Sequence, residues 1–377
     1  MSNAGLEGVV VAQTKLSAIN GEAGELIYGG YEIDDLARNT TFEEVTHLLW
    51  NGRLPNDAEL KQLSDELAAE AAVKPRMLDL LRSFPSGGDS MAALRTAVSF
   101  LGLEDAEAND NSEAANRRKS VRMTAKIPTI IAAYDRIRNG MEPVDPRPGL
   151  STAANFLYML NGEEADDLRS RTFDAGLVLH AEHGMNASTF SARVTAATQS
   201  DIYSAVVSAI GTLKGPLHGG ANMRVMEMLS DIDESSKEPA EWVHEALQRG
   251  ERVMGFGHRV YKATDPRATV LRELGDAIMK GKGDTRWLDL SDRVREAMRL
   301  EMDQQGKKIY PNVDFFSASV YTTLGIRTDL FTPIFAMSRV SGWTAHLLEQ
   351  YANNRLIRPK AEYIGQRGLK VTPRDER

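Results

Sequence analysis

The sequence predicts an all-α protein of two lobes, with a small strand element near its N-terminus. Three observations carry that prediction. Apolar residues recur at helical spacing through most of the chain, β-type alternation is nearly absent from its centre, and the helices change from apolar to amphipathic partway along. At 377 residues the usual domain size also favours two lobes over one.

Residues 19–36 hold glycines at 21, 24, 29 and 30 among Leu26, Ile27, Tyr28 and Tyr31, which reads as strand and turn. Thr41-Phe42-Glu43-Glu44 has the spacing of a capping box ahead of Val45, Leu48 and Leu49, and Gly52 and Pro55 should stop that helix. Leu60, Leu63 and Leu67 form a second stripe, and Met91, Leu94, Val98 and Leu101 a third with Gly102 behind it. Residues 104–113 are acidic and read as an exposed loop. The basic helix after it carries Arg117, Arg118, Lys119, Arg122 and Lys126 on what reads as a solvated face, and Pro128 should kink it or mark its start. A proline-rich connector spans 141–149. Apolar helices across 151–217 look like the centre of the molecule. After Asn222 come amphipathic helices at 239–248, 266–279 and 285–304, suggesting a smaller peripheral lobe, before core-like helix resumes at 333–355.

Composition narrows the function. The chain has no cysteine, which excludes disulfides, thiolate nucleophiles and zinc-thiolate sites. A net charge of -8 argues against a general nucleic-acid binder. Residues 1–16 lack a basic segment followed by an apolar core, and the run at 202–213 is too short to span a bilayer. A cytoplasmic protein is the expectation.

Chemistry concentrates in a few segments. Residues 255–267 place His258 behind Gly255 and Gly257, with Arg267 nine residues later, pairing a proton-handling group with a carboxylate binder. Val260 stands where a dinucleotide-binding G-x-G-x-x-G would need its third glycine, and no phosphate loop occurs elsewhere. His218 lies between Gly215-Pro216 and Gly219-Gly220, a pattern that exposes an imidazole at a helix start; the plain alternative is a glycine turn with a bystander histidine. Asp314, among Val313, Phe315 and Phe316, has the apolar surroundings that raise a carboxylate's basicity, although a capping aspartate fits the same pattern. His180 and His183 bracket Ala181-Glu182, whereas His47, His244 and His346 lie within helical patterns and read as structural.

Taken together, residues 255–267, Gly-Pro-Leu-His-Gly-Gly-Ala-Asn at 215–222, Tyr-Pro-Asn-Val-Asp-Phe at 310–315 and Ser-Arg-Val-Ser-Gly-Trp-Thr-Ala-His at 338–346 resemble citrate synthase in its shorter prokaryotic form. Order and spacing match over essentially the whole chain. The resemblance implies a helical homodimer. Each subunit would have a large domain, 1–221 with 326–377, which forms the dimer and holds oxaloacetate. A small domain, 222–325, would carry the coenzyme A side and close over the site.

The implied reaction joins acetyl-coenzyme A to oxaloacetate in the tricarboxylic acid cycle. Asp314 would be the base, His218 the group stabilising the enol or enolate, and His258 the activator of the ketone. Arg267, Arg339, Arg358 and His183 would bind the ketodicarboxylate, with Arg358 reaching the neighbouring subunit's site. Val253, Met254 and Gly255 would frame the coenzyme's adenine while Lys262, Lys307 and Lys308 face its phosphates; for these lysines a solvent-facing role is the plain alternative. No tightly bound cofactor, metal, nucleic acid or membrane is implied. Two departures stand out: Gly29 where relatives commonly carry Arg, and Met223 where Glu is frequent. 2-Methylcitrate synthase, which uses propionyl-coenzyme A, shares these motifs, and dual activity is compatible with them. A metal-dependent hydrolase built on His180, His183, His218 and Asp314 is the rival from another class, although H-E-x-x-H spacing is absent.

Overall fold

Strands Ser17–Asn20, Glu25–Tyr28 and Tyr31–Glu32 pair antiparallel in sequential order, with Ser17 opposite Tyr28 and Tyr28 opposite Tyr31. Leu26 and Tyr28 share one face of the middle strand and are fully buried. The computed structural model describes residues 4–6, 8–258, 260–282 and 285–377, so Arg259 and the first three residues of the N-terminal stretch lie outside the described residues. A Cβ on Gly21 would collide with the Val260 carbonyl, and one on Gly24 would sit 2.8 Å from that of Thr264. The hairpin turn therefore lies against the loop that follows His258, and the Lys262 N–H donates to the Gly21 carbonyl at 2.9 Å. At Gly29, φ is +54° and a Cβ would meet Leu48 at 2.8 Å, so backbone and packing both favour glycine at this departure from the family pattern.

The rest of the regular structure is helical. Thr41 and Glu44 complete the capping box of helix Phe42–Asn51, which Gly52 ends in a left-handed conformation. Thr41→Ala should lower stability by about 1 kcal/mol, read as an earlier denaturant midpoint at unchanged m-value; an unmoved midpoint would refute it. Helices Asp57–Glu70 and Ser90–Glu104 follow the expected stripes. Gly102, however, lies inside the second of them, because Tyr203 packs 3.0 Å from where its Cβ would be.

Helix Glu113–Arg138 continues through Pro128, which neither begins nor ends it. Neighbouring helices on several sides hold it together despite the missing ladder bond. Its basic residues are not all a solvated face. Lys119 is fully buried and donates to the carbonyls of Ala108 and Asp110, while Arg122 pairs with Asp105. The acidic 104–113 segment is thus drawn onto the helix by cations beneath it.

Helix Phe331–Ala352 runs through the core, packing on helices Phe42–Asn51, Glu113–Arg138, Asp167–His180, Ala187–Ala197 and Ile202–Leu213. Val340, Trp343 and Leu347 are wholly enclosed, so Arg339 and His346 on the same helix are buried as well. Helices Ala221–Ser235, Pro239–Gln248, Pro266–Lys282, Arg286–Gln304 and Val313–Thr323 pack chiefly on one another. Pro266–Lys282 also packs on Asp167–His180, bringing the second group of helices against the first. Among the described residues no helix is long and apolar enough to cross a membrane.

Candidate active site

The segment opening at Gly255 is stitched to residues 310–312. The Gly257 N–H donates to the Tyr310 carbonyl, and the Asn312 N–H to the Gly255 carbonyl, both at 2.9 Å. Gly255 and Gly257 each have φ of +80°, and a Cβ on Gly255 would come within 2.8 Å of Phe315 and Val225. Only glycine fits that approach. Asn312 also caps helix Val313–Thr323, accepting the Asp314 N–H at 3.1 Å. One short ladder therefore positions both His258 and Asp314, and the cap is Asn312 rather than Asp314.

His258 Nδ1 accepts N–H bonds from Val260 at 3.0 Å and Tyr261 at 3.1 Å, which assigns the neutral ring's proton to Nε2. Burial, then the charge of Arg267, pulls its pKa down to about 4. The ring of His183 lies 5.3 Å from that of His258, and its Nε2 is 3.2 Å from the Tyr261 hydroxyl. Burial, Arg267 and Arg339 hold His183 well below the usual histidine value.

Arg267 and Arg339 are only 3% and 1% exposed. Asp265 takes two corners of the Arg267 fork, at 2.9 Å to Nε and 2.8 Å to Nη2. The same carboxylate accepts the Arg267 N–H and the Val313 N–H, each at 3.1 Å, and the latter ties Arg267 to the helix of Asp314. Arg339 donates Nε to the His180 carbonyl at 2.6 Å and lies over Phe335. Among the described residues no carboxylate forms an ion pair with it. Burial brings its pKa down to about 10, so it stays cationic at neutral pH. A buried guanidinium without a paired carboxylate is a strong anion site.

His218 sits in the turn between helices Ile202–Leu213 and Ala221–Ser235. Its Nε2 accepts the Ser188 N–H at 3.3 Å and lies 2.9 Å from the Ser188 Oγ, leaving Nδ1 to carry the proton. Burial and the charge of Arg339 pull this imidazole down to about 4. Asp314 goes the other way: burial pushes its carboxyl up to about 6 against the pull of Arg267, helped by the nearby charge of Asp265. Among the described residues no donor bonds that carboxylate. Arg339 acts on His183, His218 and Asp314, and Arg267 on His183, His258 and Asp314, so these groups share one electrostatic neighbourhood.

The remaining candidates are placed less uniformly. A cleft of about 410 Å³ is lined by His258, Tyr261, Lys262 and Lys308 among others. Lys262 pairs with Glu22, and Lys307 bonds Gln305 outside the lining. Val253 is buried and Met254 packs against the core. Arg358 is exposed on the tail beyond Ala352. His180 is enclosed, with Nδ1 2.7 Å from the Gly176 carbonyl, and no group of three metal-ligating side chains forms among the described residues. Ser188, Tyr261 and Asp265 escaped the sequence reading. Tyr261 and Asp265 stand within residues 255–267 beside His258 and Arg267, a signal of adjacency with no periodicity to detect, and Ser188 meets His218 from thirty residues away.

The family profile described as citrate synthase, C-terminal domain, matches residues 5–360. A citrate synthase of Haloferax volcanii is 54% identical over 377 residues, covering 99% of this chain and 98% of that one. A 2-methylcitrate synthase of Mycobacterium tuberculosis is 44% identical over 361 residues, covering 96% of this chain and 90% of its own. Among solved structures, the citrate synthase of Thermoplasma acidophilum in ternary complex with carboxymethyl coenzyme A and oxaloacetate superposes with a TM-score of 0.92. It shares 31% identity with this chain, with full coverage of both. The chain belongs to the citrate synthase family.

Proposed function

We propose that the chain condenses acetyl-coenzyme A with oxaloacetate and water to citrate and free coenzyme A, acting as a cytoplasmic homodimer. The observation that carries this reading is a carboxyl raised to about 6 together with two neutral imidazoles, all set around two buried guanidiniums. Ionised Asp314 takes a proton from the thioester methyl group. The Nδ1–H of His218 donates to the thioester oxygen where negative charge develops. The resulting carbon nucleophile attacks the ketone, and the Nε2–H of His258 donates to and protonates its oxygen. Water then hydrolyses citryl-coenzyme A.

Arg267, Arg339 and His183 hold the oxaloacetate carboxylates together with the partner subunit's Arg358. The coenzyme enters as a co-substrate rather than a resident cofactor. Its adenine lies along the backbone of 253–255, and Lys262, Lys307 and Lys308 face its phosphates. The 222–325 lobe closes on the larger one, excluding water from the enolate.

Thiol release from acetyl-coenzyme A with oxaloacetate tests the reaction, and silence with both acetyl and propionyl thioesters would refute it. The similarity to a 2-methylcitrate synthase makes propionyl-coenzyme A the necessary comparison. One methylene is worth about 1–3 kcal/mol in a pocket, so kcat/KM is expected to favour acetyl-coenzyme A without abolishing propionyl turnover. A propionyl preference would reassign the chain to 2-methylcitrate synthesis.

A further inference from the structure

Glu182 precedes His183 and is fully enclosed. Its Oε1 accepts from the Ser17 hydroxyl at 2.9 Å and lies 3.0 Å from His346 Nε2. The Tyr28 hydroxyl clamps its backbone, donating to the Glu182 carbonyl at 2.6 Å and accepting the Glu182 N–H at 3.2 Å. Oε2 has no hydrogen-bond partner among the described residues. It lies against Gly342, where an added Cβ would be 2.6 Å away and would collide with the Ala181 carbonyl. A bare, buried carboxylate oxygen is costly, and its retention asks for a reason.

The surrounding bonds determine what Glu182 can do. His346 Nδ1 lies 3.1 Å from Arg193 Nη1; since a guanidinium only donates, that nitrogen accepts and Nε2 carries the proton given to Glu182. Arg193 is fixed in turn by Glu349 at 2.6 Å and Gln350 at 3.0 Å. The relay Arg193–His346–Glu182 is therefore directional and ends in a carboxylate one residue before His183. The same helix carries Arg339 three residues before Gly342. The carbonyl that holds Arg339 Nε belongs to His180, on the segment that Glu182 secures. Glu182 is also the foremost charge sustaining the Arg339 cation.

We propose that Glu182 is a positioning residue for the ketodicarboxylate pocket: fixed by the Arg193–His346 pair, it locks segment 180–183 onto the Arg339 helix and sets the spacing between His183 and that guanidinium. This rests on the reading of Arg339 and His183 as oxaloacetate ligands. Gln350 continues the chain of bonds to Asn354 at 3.0 Å, at the root of the tail that bears Arg358, so the relay steadies that tail too.

Glu182→Leu removes the acceptor shared by Ser17 and His346 along with the charge. It is expected to raise the oxaloacetate KM at least tenfold and leave the acetyl-coenzyme A KM within twofold. A residue that acted only by its charge would give the opposite sign, because deleting an anion favours a dianionic substrate; a fall in oxaloacetate KM would therefore overturn the proposal. So would an unchanged value, or a parallel rise in both KM values.

His346 supplies an independent pair should Glu182→Leu fail to fold. The amide of His346→Gln can accept from Arg193 and donate to Glu182, so its oxaloacetate KM should stay within threefold of wild type. His346→Leu can do neither and should match Glu182→Leu. Indistinguishable Gln and Leu variants would refute the relay. Wild-type turnover is measured first: an inactive wild type fails the assigned reaction, whereas an active wild type with unaltered variants fails Glu182 alone.

Discussion

Asp314→Asn is expected to lower kcat by about 10³-fold or more while oxaloacetate affinity stays within about threefold. Asparagine keeps the shape of the side chain and can keep the Asn312 cap on the backbone N–H of residue 314, but it cannot accept a proton from carbon. The ketodicarboxylate contacts belong to other groups, Arg267, Arg339 and His183, so binding and chemistry should separate. Thiol release reads the first and calorimetry with oxaloacetate the second. A kcat within tenfold of wild type would remove Asp314 from the base role.

The same residue sets a pH limb. A base works only when ionised, so kcat/KM should fall as pH drops through about 6. His218 and His258, both drawn down to about 4, stay neutral across that window and add no limb of their own there. The stability sign is the reverse of a salt-bridged aspartate. The folded carboxyl titrates near 6 against 3.8 unfolded, so the folded state holds more protons between those values. Unfolding free energy therefore falls as pH rises through that interval and stays lowered above it. Asp314→Asn lacks this penalty. At pH 7.5 its melting temperature should equal or exceed that of wild type, and at pH 4 the difference should vanish. A variant that is inactive yet more stable at neutral pH distinguishes a lost base from a damaged fold.

The helices were legible where local rules decide them. The Thr41–Glu44 box, the Gly52 stop and the leucine stripes depend on neighbours three or four residues apart, and the structure contains each of them. Lys119 was misread because tertiary partners overrode local preference: carbonyls of the 104–113 segment supply a buried ammonium with acceptors. Pro128 lies inside the helix rather than at its start because packing carries the helix through it. The candidate site divides along the same line. His218, His258 and Asp314 announced themselves by glycines or by unusual apolar company, features visible in a few residues. The groups that aim them could not be read that way. Ser188 meets His218 from thirty residues away, and His346 meets Glu182 from 164. The tautomers of His218 and His346 are set by such long-range bonds, whereas that of His258 is set by N–H groups two and three residues on.

His258→Asn should cost about 10²–10³ in kcat, and its comparison with His258→Gln tests the tautomer assigned by the 260–261 backbone. In the native ring, Nδ1 is occupied twice, by the N–H groups of Val260 and Tyr261, so the ring has one free donor, Nε2–H. Asparagine places an acceptor near the Nδ1 position. It can keep the turn that orders Tyr261 and the Asp265–Arg267 pair downstream, but nothing remains to reach the ketone oxygen. Glutamine does the converse, extending an amide donor toward the Nε2 position while leaving the Val260 and Tyr261 N–H groups without their acceptor. If His258 acts by donating from Nε2, the asparagine variant should bind oxaloacetate nearly normally and turn over poorly. The glutamine variant should bind it less tightly, because the turn loosens, yet retain the larger kcat. Steady-state kinetics at saturating acetyl-coenzyme A separates the two. A larger kcat for asparagine would place the productive donor on the other nitrogen, incompatible with two backbone N–H groups pointing at it, and would overturn the role assigned to this ring.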